Sequence, residues 1–124
     1  MRRWAGFQGQ KYGNTRSDGF SSKLESAVHQ ILLLLERAGE ITDIKQQVCV
    51  ELICGIRWKV DFSYTCVASG EQIWAEAKGL ETDRYRICKK LWEGGFGPGP
   101  LEIWKGNWRK PIMVETIIPK ERPS

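Results

Sequence analysis

Two short segments of this chain alternate polar and apolar residues across a stretch of turn material, which commits them to a β-hairpin. Arg57-Trp58-Lys59-Val60-Asp61-Phe62-Ser63-Tyr64 comes first, and Gln72-Ile73-Trp74-Ala75-Glu76-Ala77-Lys78 second, with Ala68-Ser69-Gly70-Glu71 between them. Strand side chains alternate faces, so Glu76 and Lys78 share one face. A turn centred between Ser69 and Gly70 sets Asp61 opposite Lys78 and Ser63 opposite Glu76, gathering Asp61, Glu76 and Lys78 on one side. A one-residue slip would part them. Two carboxylates and an ammonium packed this closely are a poor structural choice but a good site for a hard cation. Mg²⁺ takes carboxylate ligands, keeps several waters and accepts a substrate phosphate, and Lys78 stands ready to orient or activate a water. The spacing alone, an Asp followed after fourteen residues by Glu-x-Lys, arises often by chance, so the surroundings have to carry the assignment.

The surroundings begin with the chain's size. Its 124 residues suffice for one domain with a real core and not for two. The longest apolar run, Ile31 to Leu35, falls far short of the roughly 20 residues that span a bilayer, so no membrane partner is expected. The basic N-terminus leads into Gln, Gly, Asn and Asp rather than an apolar signal core, and the expected location is the cytoplasm. Cys49, Cys54, Cys66 and Cys88 contain no Cys-x-x-Cys pair, and His29 is the only histidine. Reduced, mostly buried thiols are therefore expected rather than a zinc site.

Charge is unevenly spread. Residues 1–23 hold five basic residues and one acidic, residues 24–77 hold four basic and eight acidic, and the remainder is basic again. An acidic centre that holds cations between basic flanks that hold phosphates is what a metal-dependent enzyme acting on a polyanion needs. A mildly basic protein with solvated charges has the same totals.

Along the chain, residues 1–20 read as a flexible basic arm. Leu24, Val28, Ile31, Leu32 and Leu35 recur at helical spacing, with Gly39 as the stop. Ser22 and Glu25 fit a capping box, so Glu25 has a structural task available beside a metal-binding one. His29 lies one turn on and reads as a partly buried histidine before it reads as a ligand. Gln46 to Ile53 is a strand closed by Cys54-Gly55. Thr82 caps a second helix with an apolar stripe of Ile87, Cys88, Leu91 and Trp92, and with Arg84, Arg86, Lys89 and Lys90 on its other faces. The amides that open this helix, with Arg86 and Lys89, suit a phosphate. After the loop from Gly94 to Pro100, Leu101 to Trp104 is a strand, and Ile112 to Ile118 is one more strand or an extended tail. The order α-β-β-β-α-β gives an α/β or α+β domain with a central mixed sheet. Of the six tryptophans, Trp58, Trp74 and Trp92 read as core, whereas Trp4, Trp104 and Trp108 lie near basic residues and are candidates to stack on bases.

Taken in order, these residues resemble an uncharacterised phage and prophage family. The resemblance is carried by Lys11-Tyr12-Gly13-Asn14, Phe20-Ser21-Ser22-Lys23-Leu24-Glu25, Ala38-Gly39-Glu40-Ile41 and Gln46-Gln47. It continues through Val60-Asp61-Phe62, Glu76-Ala77-Lys78-Gly79, and Thr82 with Tyr85, Arg86 and Lys89-Lys90-Leu91. That family is similar to the bacteriophage endonuclease I group of Holliday junction resolvases, within the PD-(D/E)XK nucleases. The likeness runs from about residue 11 to about residue 105. It implies a restriction-endonuclease-like core and phosphodiester hydrolysis with one or two Mg²⁺ or Mn²⁺ ions per site. It also implies Asp61 and Glu76 as metal ligands, Lys78 as catalytic lysine and Glu25 as the first-helix acid, with Gln46 or Gln47 beside them. Val60 stands where the proline of the superfamily's name would be.

The expected protein is thus a metal-dependent endonuclease for branched DNA, with residues 21–124 as one nuclease domain and 106–124 as a C-terminal extension. A junction has two strands to cut, so a homodimer is the economical arrangement. The expected DNA contacts are Arg84, Arg86, Lys89 and Lys90 with Arg2, Arg3, Lys11 and Arg16 of the arm. The alternatives are a DNA-binding phage protein that keeps the fold without turnover, and a restriction-like or nicking nuclease.

Overall fold

The computed structural model describes residues 22–121. The arm, with Arg2, Arg3, Lys11 and Arg16, lies outside the described residues. Helix α1 spans Lys23–Arg37. The Ser22 hydroxyl accepts from the Glu25 amide at 3.0 Å, which caps the first turn. Gly39, at φ 82°, takes the left-handed position that ends the helix.

Strands β1 (Ile41–Ile53) and β2 (Ile56–Cys66) form a long antiparallel hairpin. Its two-residue turn uses Cys54 and Gly55 at φ 52° and 79°, the geometry whose twist matches the flanking strands. Strand β3 (Gln72–Ala77) pairs antiparallel with β2. Helix α2 (Asp83–Leu91), capped by Thr82, carries the chain over to β4 (Leu101–Asn107), which lies parallel to β3. Strand β5 (Lys110–Ile117) returns antiparallel, so the segment read as strand or tail is the fifth strand, and Ile117 is buried in the core. The result is an α+β domain with a five-stranded mixed sheet in the order β1-β2-β3-β4-β5. No helix among the described residues is long and apolar enough to cross a membrane.

The two helices cover opposite faces. On β3, Ile73, Ala75 and Ala77 pack with α1, whereas Trp74 packs with α2. The α1 layer contains Leu24, Val28, Leu32, Phe62 and Tyr64. The α2 layer is built on tryptophan: Trp92 meets Trp58 and Trp74 edge-on, at centroid distances of 5.9 and 5.7 Å. This bears out the reading of these three as core. The stripe on α2 needs a correction, because Tyr85, Cys88 and Trp92 face inward while Ile87 is 55% exposed. The cysteines need one too. Cys88 is buried, but Cys49 and Cys54 are exposed, since they sit on the solvent side and at the tip of the first hairpin.

The β2–β3 register differs by two residues from the expected one. Phe62 pairs with Ala75 and Ser63 with Trp74. The turn centres one residue earlier because Gly70, at φ 75°, closes it from the last position. A two-residue shift preserves parity, so the same side chains share a face, but Asp61 comes opposite Glu76 instead of Lys78.

One irregularity matters for the site. Val60 packs in the α2 layer and Phe62 in the α1 layer, although they are two residues apart. On the partner strand, Val48 and Ile44 divide the same way. The hairpin therefore crosses from one face of the sheet to the other at Asp61 and Gln47, and Gln47 takes φ 54°.

The α2 layer can be tested at Gly97, where an added Cβ would lie 2.4 Å from ring atoms of fully buried Trp92. Gly97→Ala is expected to cost about 1–3 kcal/mol, read as a lower urea midpoint with unchanged slope. Gly94→Ala, where a Cβ meets nothing within 4 Å, serves as the control.

Candidate metal centre

Four elements bring one residue each to the crossing point. The first turn of α1 supplies Glu25, β1 supplies Gln47, β2 supplies Asp61 and β3 supplies Glu76. Lys78 follows directly after β3. Glu25 and Glu76 are 1% and 4% exposed, a rare degree of burial for carboxylates.

Their contacts explain how burial is tolerated. The Gln47 side-chain amide donates to Glu25 Oε2 at 2.7 Å and is close enough to the Asp61 carboxylate to favour its charged form slightly. Gln47 is thus the glutamine that reaches the centre, and its left-handed backbone aims the amide between two acids. Asp61 and Glu76 hold each other through main-chain amides. The Asp61 N–H donates to Glu76 Oε1 at 3.1 Å, and the Ala77 N–H donates to Asp61 Oδ2 at 2.9 Å. Lys78 Nζ lies 3.4 Å from Glu76 Oε2 and 5.2 Å from the centroid of the Tyr85 ring.

These partners do not fully compensate the charge. Burial first, and then repulsion from Glu25, push the Asp61 pKa from 3.8 up to about 6. Burial first, and then Asp61, push Glu76 from 4.5 up to about 8, against the lowering effect of Lys78. The centre is short of positive charge. Among the described residues, no three His, Cys, Asp or Glu side chains already converge on one point at ligating distance. The donor set nevertheless fits a hard divalent cation: carboxylate oxygens, part-buried, mutually repelling and opening toward the lysine. Asp61 and Glu76 would be the residues to hold such a cation, with Glu25 behind Gln47 as a third acid.

The other expected residues fall elsewhere. His29 stacks parallel on Phe62 at 5.5 Å, a packing role. The α2 cations Arg84, Arg86 and Lys89 have partners outside the acidic centre. Arg86 pairs with Asp83 and Glu81, Lys89 pairs with Glu115 at 2.7 Å, and Arg84 donates to the Arg57 carbonyl. Lys90 makes no ion pair among the described residues. Tyr85 is the residue whose part went unread. Burial raises its pKa to about 12, so it stays neutral, and its ring is the platform under Lys78 and, at 6.0 Å, Lys89. Its position three residues before Cys88 and seven before Trp92 was the available signal.

The raised carboxyls have a measurable consequence. A carboxyl with a raised folded pKa binds its proton more tightly when folded. Its stabilising effect is therefore full below the unfolded value, near pH 4, and is lost as pH rises through the folded value. In EDTA, the melting temperature is expected to fall between about pH 5 and about pH 8 as Asp61 and then Glu76 ionise. Glu76→Gln should flatten the upper half of that fall. Added Mg²⁺ should raise the melting temperature more at about pH 8 than at about pH 5, because cation and proton compete for the same oxygens. A wild-type curve flat across this range would show that the two carboxyl pKa values are not raised in the folded protein.

No protein-family model, curated protein or solved structure matches this chain, so its function has to be read from the carboxylates, the amide and the lysine themselves.

Proposed function

We propose that the protein is a Mg²⁺- or Mn²⁺-dependent DNA endonuclease of PD-(D/E)XK type, acting on branched DNA in the manner of a phage Holliday junction resolvase. The observation that carries this reading is the line Glu25–Gln47–Asp61–Glu76–Lys78, in which two buried acids and a half-buried one, from three elements, meet beside one lysine. The three-strand meander, the crossover helix and the parallel fourth strand, with α1 over the opposite face, support a restriction-endonuclease-like core. A static binder would gain nothing from this arrangement, since burying mutually repelling carboxylates costs stability.

In this reading Asp61 and Glu76 hold the cation, and their main-chain hydrogen bonds keep their oxygens from swinging away. When bound, the cation supplies positive charge against the scissile phosphate and acidifies a water beside it. Gln47 keeps Glu25 and Asp61 apart yet aligned, so that Glu25 adds negative charge without displacing Asp61. Lys78 lies over the Tyr85 ring, positioned to orient the attacking water and to offset charge as the phosphorane-like transition state forms. Cations on α2 exchange their surface carboxylate partners for DNA phosphates, a cheap exchange because exposed ion pairs contribute little. A homodimer would present two such centres to the two strands of a junction.

The test is incubation with a four-way junction, a linear duplex and a single strand, each with Mg²⁺ and with EDTA. Metal-dependent cleavage, strongest on the junction, is expected. Asp61→Asn and Glu76→Gln should abolish cleavage while DNA binding persists, and wild-type turnover by either would remove the reading. Lys78→Ala should slow cleavage by roughly two or more orders of magnitude with its melting temperature kept.

Glu25→Gln separates ligand from cap. The Ser22 cap accepts from the Glu25 main chain, so it survives the substitution. The variant should need a higher Mg²⁺ concentration for half-maximal rate at near wild-type stability. Unchanged metal dependence, with stability lowered by about 1 kcal/mol, would make Glu25 structural.

A further inference from the structure

A cavity of about 440 Å³ opens on the flank of α1 away from Glu25, lined on α1 by Lys23, Ser26, Ala27 and Gln30 and on the β4–β5 hairpin by Trp108 and Pro111. Its size suits a small-molecule group. The helix positions repeat at three- and four-residue spacing, so they form one face. Trp108, at the hairpin tip, remains 48% exposed. Lys23 Nζ lies 5.5 Å from its ring centroid, and the Arg109 guanidinium lies 5.0 Å from it. Among the described residues, no acidic side chain lines the cavity. An indole left in water, ringed by cations at the mouth of an apolar hollow, is complementary to a nucleobase with its phosphate: the ring stacks and the cations take the anion.

Residues 1–21, which precede Ser22 in the sequence, are the competing occupant to be tested. They carry Arg2, Arg3, Lys11 and Arg16 against Asp18 alone, so like charge opposes their docking between Lys23 and Arg109. Charge complementarity favours a polyanion. Glu25 and the cavity residues Lys23, Ser26 and Ala27 lie at the start of α1 on different flanks, so a strand passing over the end of that helix would have both within reach.

We propose that this cavity is a nucleotide subsite that receives an unpaired base of the bound DNA, with Trp108 as its stacking platform and Lys23 and Arg109 as its phosphate contacts. The proposal rests on the nuclease reading in that the ligand is DNA, and it adds recognition of unpaired nucleotides at a place separate from the cutting centre.

The probes are an intact duplex and the same duplex carrying one extrahelical 2-aminopurine, mixed with the full-length protein and with Ca²⁺ to fill the acidic centre. Wild-type protein should quench the 2-aminopurine and prefer the bulged duplex. Trp108→Ala should remove the quenching and weaken bulged-duplex binding about tenfold, the loss of one base–aromatic stack, with intact-duplex binding nearly unchanged. Trp108→Phe should keep most of the preference, and melting temperatures should confirm that both variants fold. Wild-type protein that binds and cuts DNA, with no quenching and with Trp108→Ala affinities unchanged, overturns the subsite alone. Protein that binds neither duplex overturns the subsite, and if it also fails to bind or cut the four-way junction the nuclease reading falls with it. Quenching seen only after deletion of residues 1–21 identifies the arm as the occupant and overturns the proposal.

Discussion

Past the pair Phe62–Ala75, strands β2 and β3 are joined by side chains rather than by a backbone ladder. The Asp61 amide finds its acceptor in the Glu76 carboxylate, and the Ala77 amide finds its own in Asp61. Buried amides need partners, and here two acids supply them. That substitution has two effects. It joins the strand ends across the place where they part, and it forces both carboxylates into one small volume. The raised pKa values and the placement of Lys78 beside Glu76 follow from this exchange of backbone acceptors for side-chain ones.

The molecule supports that arrangement with rigid surroundings. Gln47 adopts a left-handed backbone that glutamine rarely takes, and the long β1–β2 hairpin crosses the sheet at the same point. Strain and buried charge of this kind persist only where the neighbourhood over-determines them. On one side the neighbourhood is the Trp58–Trp74–Trp92 cluster with Tyr85, and on the other it is the Phe62 layer beneath α1. Both layers end at the carboxylates, so the site lies on the seam between them.

Electrostatics outside the seam follow a simpler rule. On α2 and β4, Lys89 meets Glu115 and Lys105 meets Glu81, acids distant in sequence, whereas Arg86 meets the nearby Glu81 and Asp83. These pairs satisfy the free protein without holding it together, since exposed pairs are weak and screened by salt. Trp108 with Lys23 and Arg109 stands apart, because there the cations face an aromatic ring rather than an acid.

Local chemistry was legible in the sequence. Ser22 and Thr82 cap their helices, Gly39 and Cys54-Gly55 turn the chain, and the three inner tryptophans form the core, because each depends on residues close in sequence or on hydrophobicity alone. Strand parity also carried through, so Asp61, Glu76 and Lys78 were assigned to one face despite a register two residues off. Parity has period two and survives such a shift, whereas the pairing itself depends on which residue of the turn takes the positive φ. Only the tertiary structure decided that Gln47 and not Gln46 reaches the acids, that Glu25 faces that amide as well as opening its helix, and that Tyr85 carries Lys78. Each of those facts joins elements far apart in sequence, and each depends on a hairpin that changes faces at Asp61, a break in alternation that no local pattern announces.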